Sequence, residues 1–206
     1  MKREMILVKV LLCLFLLSVS ASFVLAHPTA KVPKTGQTTC YEYSDDLNGV
    51  EINCAGTGQD GDYQKGVAWP IPRFTDHGNG TVTDNLTGLM WTTNAQQIAG
   101  GRTWQNAIND CEDLILPDSG CTQYSNWRMP NVNEMQSLID YGNIDPALPS
   151  GHPFTNAVSG ARFWSSTTDM YQRNFAWDVG MYRGSMSNRL KSSTSFAWVW
   201  CVRGGQ

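Results

Sequence analysis

An apolar leader followed by five cysteines sets the conditions under which this chain must fold. Lys2 and Arg3 precede the run "VLLCLFLLSVSASFVLA", which ends at Ala26. This is the pattern of a secretory signal peptide, residues 1–26, and we expect cleavage after Ala26. An uncleaved membrane anchor is the alternative, but the apolar run is short for a spanning helix. The leader predicts a secreted protein, located in the periplasm or outside the cell.

The cysteines that follow the leader predict disulfides, because exported chains meet an oxidising compartment. They are Cys40, Cys54, Cys111, Cys121 and Cys201. None of their spacings matches a zinc site, so we expect no metal site built from them. Cys40 and Cys54 bracket a short polar segment, and we expect them to bond to each other. The odd count leaves one thiol over.

The remaining chain is predicted to be one domain with a polar lead-in. Removing 26 of the 206 residues leaves 180, enough to bury a substantial core. Residues 27–68 are polar and rich in glycine, and we interpret them as a disulfide-clasped lead-in to a domain over residues 69–206. Eight Trp, seven Tyr and seven Phe favour a compact β-rich fold. No segment after the leader is apolar enough to span a bilayer.

The charges are distributed unevenly along the chain. Residues 27–160 hold six basic and fifteen acidic side chains, whereas residues 161–206 hold six basic and two acidic ones, a balance of +4. The whole chain has a net charge of −3, which disfavours general binding of nucleic acid. Such asymmetry favours an anionic partner for one face of the protein.

Three basic residues are the candidate ligand-binding group. Arg183, Arg189 and Lys191 stand in "MYRGSMSNRLKSSTS", which we interpret as a polar connection between two strands. The planar fork of arginine suits sulfate and carboxylate groups, because it can donate two hydrogen bonds at once. The alternative is that these charges only keep the surface soluble.

The stretch "RFTDHGNGTVTDNLTGLMW", residues 73–91, predicts three short strands joined by two turns. Its Asn-Gly pair is a strong hairpin signal, since both residues tolerate positive φ. An EF-hand loop counted from Asp76 would place Gly78 and Gly80 at ligand positions, so that calcium loop is excluded. We expect Asp76, Asn79 and Asp84 to shape turns and bind no metal. A calcium site of another geometry at these three residues is the alternative.

Two helices and three strands are predicted after this stretch. "TWQNAINDCEDL" carries an apolar stripe at helical spacing and is capped by Thr103. "PNVNEMQSLIDYG" begins with a capping box formed by Asn131 and Glu134, and Gly142 is expected to end it. "RFWSSTT", "NFAWDVG" and "SFAWVWCVRG" read as strands. The last of these is apolar on both faces, which predicts a strand in the centre of its sheet.

Several of these segments together resemble one family of bacterial exported proteins. "RFTDHGNGTVTDNLTGLMW", "TWQNAINDC", "YSNWRMPNVNEMQSLIDY", "FWSSTT" and "WVWCVRGG" are similar to the C-terminal domain of the Legionella collagen-like (Lcl) proteins, over residues 69–205. The resemblance implies a C-type lectin-like α+β fold, distantly similar to formylglycine-generating enzymes. The implied fold has two helices and one twisted, mostly antiparallel sheet, and disulfides brace it. It also implies a bond from Cys111 to Cys201, which makes Cys121 the odd thiol.

The resemblance further implies a binding module, since the founding member is an adhesin domain for sulfated glycosaminoglycans. Met129-Pro130-Asn131 lacks the acid that lectins place before the proline of their calcium site. Trp177-Asp178 lacks the Asn of the Trp-Asn-Asp that completes that site, so we expect no calcium-dependent sugar binding. The related enzymes use two reactive cysteines late in the chain, where only Cys201 stands here, so we expect no catalysis and no cofactor. The predicted ligand is an anionic glycan or another surface ligand. The alternative is a structural subunit of a surface assembly, such as a homo-trimer.

Overall fold

The computed structural model describes residues 32–45, 47–118, 123–158, 160–195 and 197–204. These ranges belong to one compact unit, Lys31–Gln206. The predicted leader and Cys121 lie outside the described residues. Every helix within the described ranges is too short or too polar to cross a membrane.

The fold is α+β, with few helices and many short strands. In chain order the described elements are β1 (Cys40–Glu42), β2 (Val50–Ile52), α1 (Asp60–Tyr63), β3 (Phe74–Asp76), β4 (Thr81–Asp84), β5 (Met90–Thr92), α2 (Trp104–Glu112), β6 (Leu116–Pro117), β7 (Gln123–Tyr124), α3 (Val132–Ser137), β8 (Arg162–Thr168), β9 (Phe175–Gly180), β10 (Ser185–Leu190), β11 (Ala197–Trp198) and β12 (Val202–Arg203). The predicted class and its two disulfides, Cys40–Cys54 and Cys111–Cys201, are confirmed.

Two four-stranded sheets form the body of the fold. Their strand orders are β10-β9-β8-β11 and β12-β5-β4-β3, and β1–β2 and β6–β7 are separate two-stranded ribbons. All pairs are antiparallel except β11 with β8. The prediction of one sheet was therefore wrong: the described strands divide among four sheets, most of them antiparallel.

The closing segment explains this division. It was predicted as one central strand, but it forms two short strands, β11 at the edge of one large sheet and β12 at the edge of the other. Between them, Val199 and Trp200 are fully buried, and the indole Nε1 of Trp200 donates to the carbonyl of Thr92 at 2.9 Å. The segment is apolar on both faces because it crosses the core from one sheet to the other.

The stretch over residues 73–91 folds as predicted, into β3, β4 and β5. The amide of Gly78 donates to Asp76 Oδ1 at 2.9 Å, and that of Thr81 donates to Asn79 Oδ1 at 3.2 Å. Asp84 accepts from the amide of Leu86 at 2.9 Å. These three side chains shape the turns by bonding to nearby backbone, as short polar side chains commonly do.

Both predicted helices are present, but the second is shorter than expected. Thr103 caps α2, and Asn131 and Glu134 form the predicted capping box of α3. Helix α3 ends at Ser137, so the prediction that Gly142 ends it was wrong. The amides that would have extended it bond elsewhere, since Tyr141 N donates to the carbonyl of Thr35 at 2.7 Å.

Two apolar clusters make the core. The larger contains Trp91, Phe163 and Trp200, and the rings of Trp91 and Trp200 meet edge to face with centroids 5.4 Å apart. The smaller surrounds the Cys111–Cys201 disulfide, which joins α2 to the closing segment across 5.5 Å between Cα atoms. This buried frame holds β8 and β9, and β10 is held by its pairing with β9.

Candidate functional site

The three basic residues predicted to bind a ligand lie in or beside a strand, β10, and not in a connection as predicted. The segment over residues 181–195 was predicted as a connection, but its central six residues pair with β9 along their whole length. β10 is an edge strand of its sheet, and its side chains are exposed or half-buried on both faces, so neither face needs an apolar row. The period-2 apolar signal of a strand is therefore missing from "SMSNRL". Arg183 precedes β10, Arg189 lies in it and Lys191 follows it.

Arg189 is committed to contacts within the protein. Its Nε lies 2.8 Å from Asp178 Oδ2, and its Nη1 donates to the carbonyl of Ser195 at 2.7 Å. Asp178 is 1% exposed and also accepts from Arg162, whose Nε is 2.7 Å from Oδ1. One buried carboxylate thus binds two guanidinium groups. The role of Arg189 is therefore to stabilise the sheet.

Lys191 is half-buried on an aromatic ring. Its Nζ lies 4.1 Å from the ring centroid of Trp104 and 2.9 Å from Thr168 Oγ1. An ammonium over an indole ring is attracted by the negative face of the π-system. The amide of Lys191 donates to the carbonyl of Asn174 at 2.8 Å, so this residue sits at the β8–β9 end of the sheet.

Arg183 is exposed at the opposite end of β10. It lies in the β9–β10 turn and borders a shallow cavity of about 380 Å³, together with Tyr182 and Ser185. None of the ion pairs formed by the described residues includes Arg183. Its guanidinium is therefore available to an anion from solvent.

Arg173 was missed by the sequence prediction. It is exposed in the connection between β8 and β9, next to Tyr171, and takes part in none of the ion pairs found in the described ranges. The sequence did indicate its exposure, because Arg173 lies in the polar run "YQRN" between two predicted strands. Because six strand residues span about 20 Å, Arg173 and Lys191 lie about that far from Arg183.

The positions that resemble a lectin calcium site are occupied by structural contacts. Asn131 accepts from the amide of Glu134 at 2.9 Å, and Asp178 is bound by its two arginines. Asp84 is paired with Arg73, with Nε 2.7 Å from Oδ1. Within the described residues no cluster of His, Cys, Asp and Glu could hold a metal ion. That Asp76, Asn79 and Asp84 bind no metal stays a prediction.

The described histidines and the strand serine contact groups other than one another. His77 Nε2 lies 2.8 Å from Thr83 Oγ1 across the β3–β4 pair. His152 stacks on Phe154, and burial lowers the pKa of its imidazole. Ser165 Oγ donates to the carbonyl of Trp177 at 2.8 Å. The absence of catalysis stays a prediction.

The model of one protein family matches this chain. The Lcl C-terminal domain matches residues 80–203, from the turn before β4 to the end of β12. The match covers more than half of the 206 residues and leaves the lead-in and β3 outside it. No match is found among curated proteins. The chain therefore belongs to the Lcl C-terminal domain family.

Proposed function

We propose that this protein is a non-enzymatic binding module, with a lectin-like fold, that recognises an anionic glycan outside the cytoplasm. The two disulfides fit an extracellular or periplasmic protein, and the predicted leader agrees with that compartment. Membership of the Lcl C-terminal family supports a binding role, because the founding member is an adhesin domain for sulfated glycosaminoglycans. A helix cysteine bonded to the closing segment supports the lectin-like fold.

The observation that carries the proposal is the placement of basic groups at both ends of β10. Arg183 lies at one end, and Arg173 and Lys191 lie at the other. The balance of +4 over residues 161–206 contrasts with nine excess acidic groups over residues 27–160. A polyanion is therefore attracted to the region around β10 and repelled by the acidic remainder of the protein.

The separation of these groups defines the size of the ligand. Guanidinium groups about 20 Å apart cannot contact one monosaccharide, whereas a chain of several charged sugars can lie along β10 and reach both ends. The exposed Ser187 side chain lies between them on the same strand. We expect affinity to rise with oligosaccharide length until both ends of β10 are engaged.

Retention on immobilised heparin tests the proposal. The double variant Arg173→Ser/Arg183→Ser should weaken binding by roughly tenfold or more, since a hydrogen bond to a charged group contributes about 1.5–3 kcal/mol. The matched control Lys34→Ser/Lys65→Ser removes the same charge from the lead-in and should bind as the unchanged protein does. Equal losses in the two variants, or no retention at low ionic strength, would contradict the proposal.

A structural or assembly role is the second candidate. It is favoured by exposed apolar side chains in the binding region, among them Tyr171, which is 92% exposed. Sedimentation and heparin retention separate the two roles. Glycan-binding monomers support the first role, and a tight trimer with no retention supports the second.

A further inference from the structure

The cavity beside Arg183 has a second guanidinium group in its wall. Arg162 borders it too, together with Tyr182, Ser185 and Gly180. Strand pairing brings Arg162 there, because it stands opposite Gly180 in β9, and Gly180 stands opposite Ser185 in β10. The Arg162 side chain is 23% exposed, so solvent reaches it. Two guanidinium groups, one from β8 and one from the β9–β10 turn, therefore border one cavity.

Gly180 is the residue that allows this arrangement. Its φ lies outside the left-handed region, so glycine is not needed there for its backbone freedom. A Cβ at this position, however, would lie 2.6 Å from Arg162 Nη1 and 3.3 Å from Ser185 Oγ. The guanidinium and the hydroxyl meet beside the bare Cα, where Nη1 donates to Oγ at 3.2 Å. Nη1 carries a second hydrogen, and the hydroxyl that accepts this bond keeps its own hydrogen, so both groups can still donate to a ligand.

The charges around the cavity favour an anion. Asp178 is shared between Arg162 and Arg189, so one carboxylate faces two guanidinium groups. Arg183 enters none of the ion pairs that the described residues form. An opposing charge is present in Asp145, whose amide donates at 2.8 Å to the carbonyl that precedes Arg183 and whose side chain is exposed. Three guanidinium groups against two carboxylates leave an excess of one positive charge.

The donors at the cavity match a group with several oxygens. Two guanidinium groups border it, and Tyr182 and Ser185 each carry a hydroxyl. A carboxylate offers two oxygens to these donors, whereas a sulfate or phosphate ester offers three. The cavity volume of about 380 Å³ falls in the range of small-molecule sites and leaves room for a sugar unit that carries the ester.

We propose that this cavity binds one sulfate or phosphate ester carried by a sugar. Arg162 and Arg183 hold the ester oxygens, and Gly180 is a positioning residue that keeps Arg162 Nη1 in the cavity wall. The inference deepens the proposed function and rests on it for the glycan that carries the ester. It adds that a single charged sugar suffices to occupy this end of β10.

Titration with single sugars, followed by the amide resonances of Gly180 and Ser185, tests the proposal. Galactose sulfate and glucose phosphate are the probes, and glucuronate and unsubstituted galactose are the comparison. At least one ester should shift both resonances with saturation and bind more tightly than glucuronate, and galactose should shift neither. The ester that binds more tightly identifies which of the two the cavity prefers. Equal affinity for glucuronate and both esters would overturn the proposal.

Three variants assign the binding to named residues. Arg183→Ser and Gly180→Ala should each weaken ester binding by about tenfold or more, since each removes or displaces a charged donor. Gly180→Ala should keep the fold, which circular dichroism checks, because the atom that the methyl group displaces is the end of a flexible side chain. Lys65→Ser removes one positive charge from the exposed lead-in and should bind the ester as the unchanged protein does. Unchanged affinity in Arg183→Ser would overturn the proposal.

Retention on heparin separates this inference from the proposed function. Retention without binding of either single-sugar ester would contradict this inference and leave the proposed function standing. Binding of an ester without retention on heparin would contradict the proposed function and leave this cavity as a site for small esters.

Discussion

The described segment that precedes β3, residues 32–72, contains the predicted lead-in, and it uses its disulfide differently from the sheets that follow it. Cys40–Cys54 spans 14 residues and closes a ribbon whose tyrosines face solvent. Cys111–Cys201 spans 90 residues and lies inside an apolar cluster. The first disulfide takes the place of a core in a region too small to have one, and the second reinforces a core that packing has already made.

The two regions meet through few but specific contacts. Arg73 lies beneath the ring of Trp69, with its Cζ 5.1 Å from the ring centroid, while its Nε binds Asp84 in β4. Gly36 approaches Asp140 so closely that an added Cβ would lie 2.0 Å from Oδ1. Among the described residues, neither apolar cluster contains a member from residues 32–72, so local fit holds this segment on the rest of the fold.

The largest expected effect is the difference in the free energy of unfolding that is lost when each disulfide is removed. Cys111→Ser/Cys201→Ser should lower the free energy of unfolding by roughly 4–5 kcal/mol, because it frees a long loop in the unfolded chain. Cys40→Ser/Cys54→Ser should cost less than about 1 kcal/mol of global stability and should speed amide exchange in β1 and β2, since the ribbon opens locally. Urea unfolding and hydrogen exchange check both. Equal losses of global stability would break the comparison.

The next effect concerns the ion pair where the regions meet. Asp84→Ala should destabilise the protein by roughly 3–5 kcal/mol, because it leaves the buried guanidinium of Arg73 without its carboxylate. Asp110→Ala removes the partner of Arg102, where both side chains are about a third exposed, and should cost less than about 1 kcal/mol. Urea unfolding of the two variants, compared at one pH, measures this difference.

A smaller effect reports on the docking of the lead-in. Gly36→Ala places a methyl group against Asp140 at a positive φ of 90°, and should lower the local free energy of opening by roughly 1–3 kcal/mol. Gly56→Ala has φ of 78° but meets nothing within 4 Å, so only the backbone cost of about 1 kcal/mol applies. Proteolysis within residues 32–72 should be faster for the first variant. Indistinguishable rates would show that the contact at Gly36 does not hold the lead-in.

The smallest effect is a pH dependence inside the sheet domain. Burial lowers the pKa of His152 in the folded protein, so folding favours its neutral form. Its contribution to stability is fully present above the unfolded pKa near 6.5 and is lost as the pH falls toward the lowered folded value. His152→Gln should flatten this part of the stability profile from pH 8 to 5. A profile unchanged by the substitution would assign the pH dependence to other groups.

Local patterns predicted the elements that are decided locally. The Asn79-Gly80 turn, the Thr103 cap and the capping box of α3 each depend on residues within three positions, and each is formed. The end of α3 and the division of the closing segment depend on distant partners. The carbonyl of Thr35 takes the amide of Tyr141, a contact over about a hundred residues that no local pattern shows.

The candidate site was also predictable only in part from the sequence. The sequence showed that residues 161–206 are basic, but not which of these charges are neutralised. Arg162, Asp178 and Arg189 meet because β8, β9 and β10 pair in one particular register. A shift of one residue would turn these side chains to opposite faces, so the register decides that Arg189 is committed.

The path of the closing segment also constrains the order of folding. Strands β11 and β12 complete two different sheets, and Cys201 stands between them as the partner of Cys111. A chain made from its N-terminus therefore completes neither sheet before β11 at Ala197–Trp198, and it completes the second sheet only with β12 at Val202–Arg203. Shortened chains that stop before Ala197 lack β11, β12 and the Cys111–Cys201 disulfide. This topology keeps the growing chain from reaching its final form early, which fits the export that the sequence predicts.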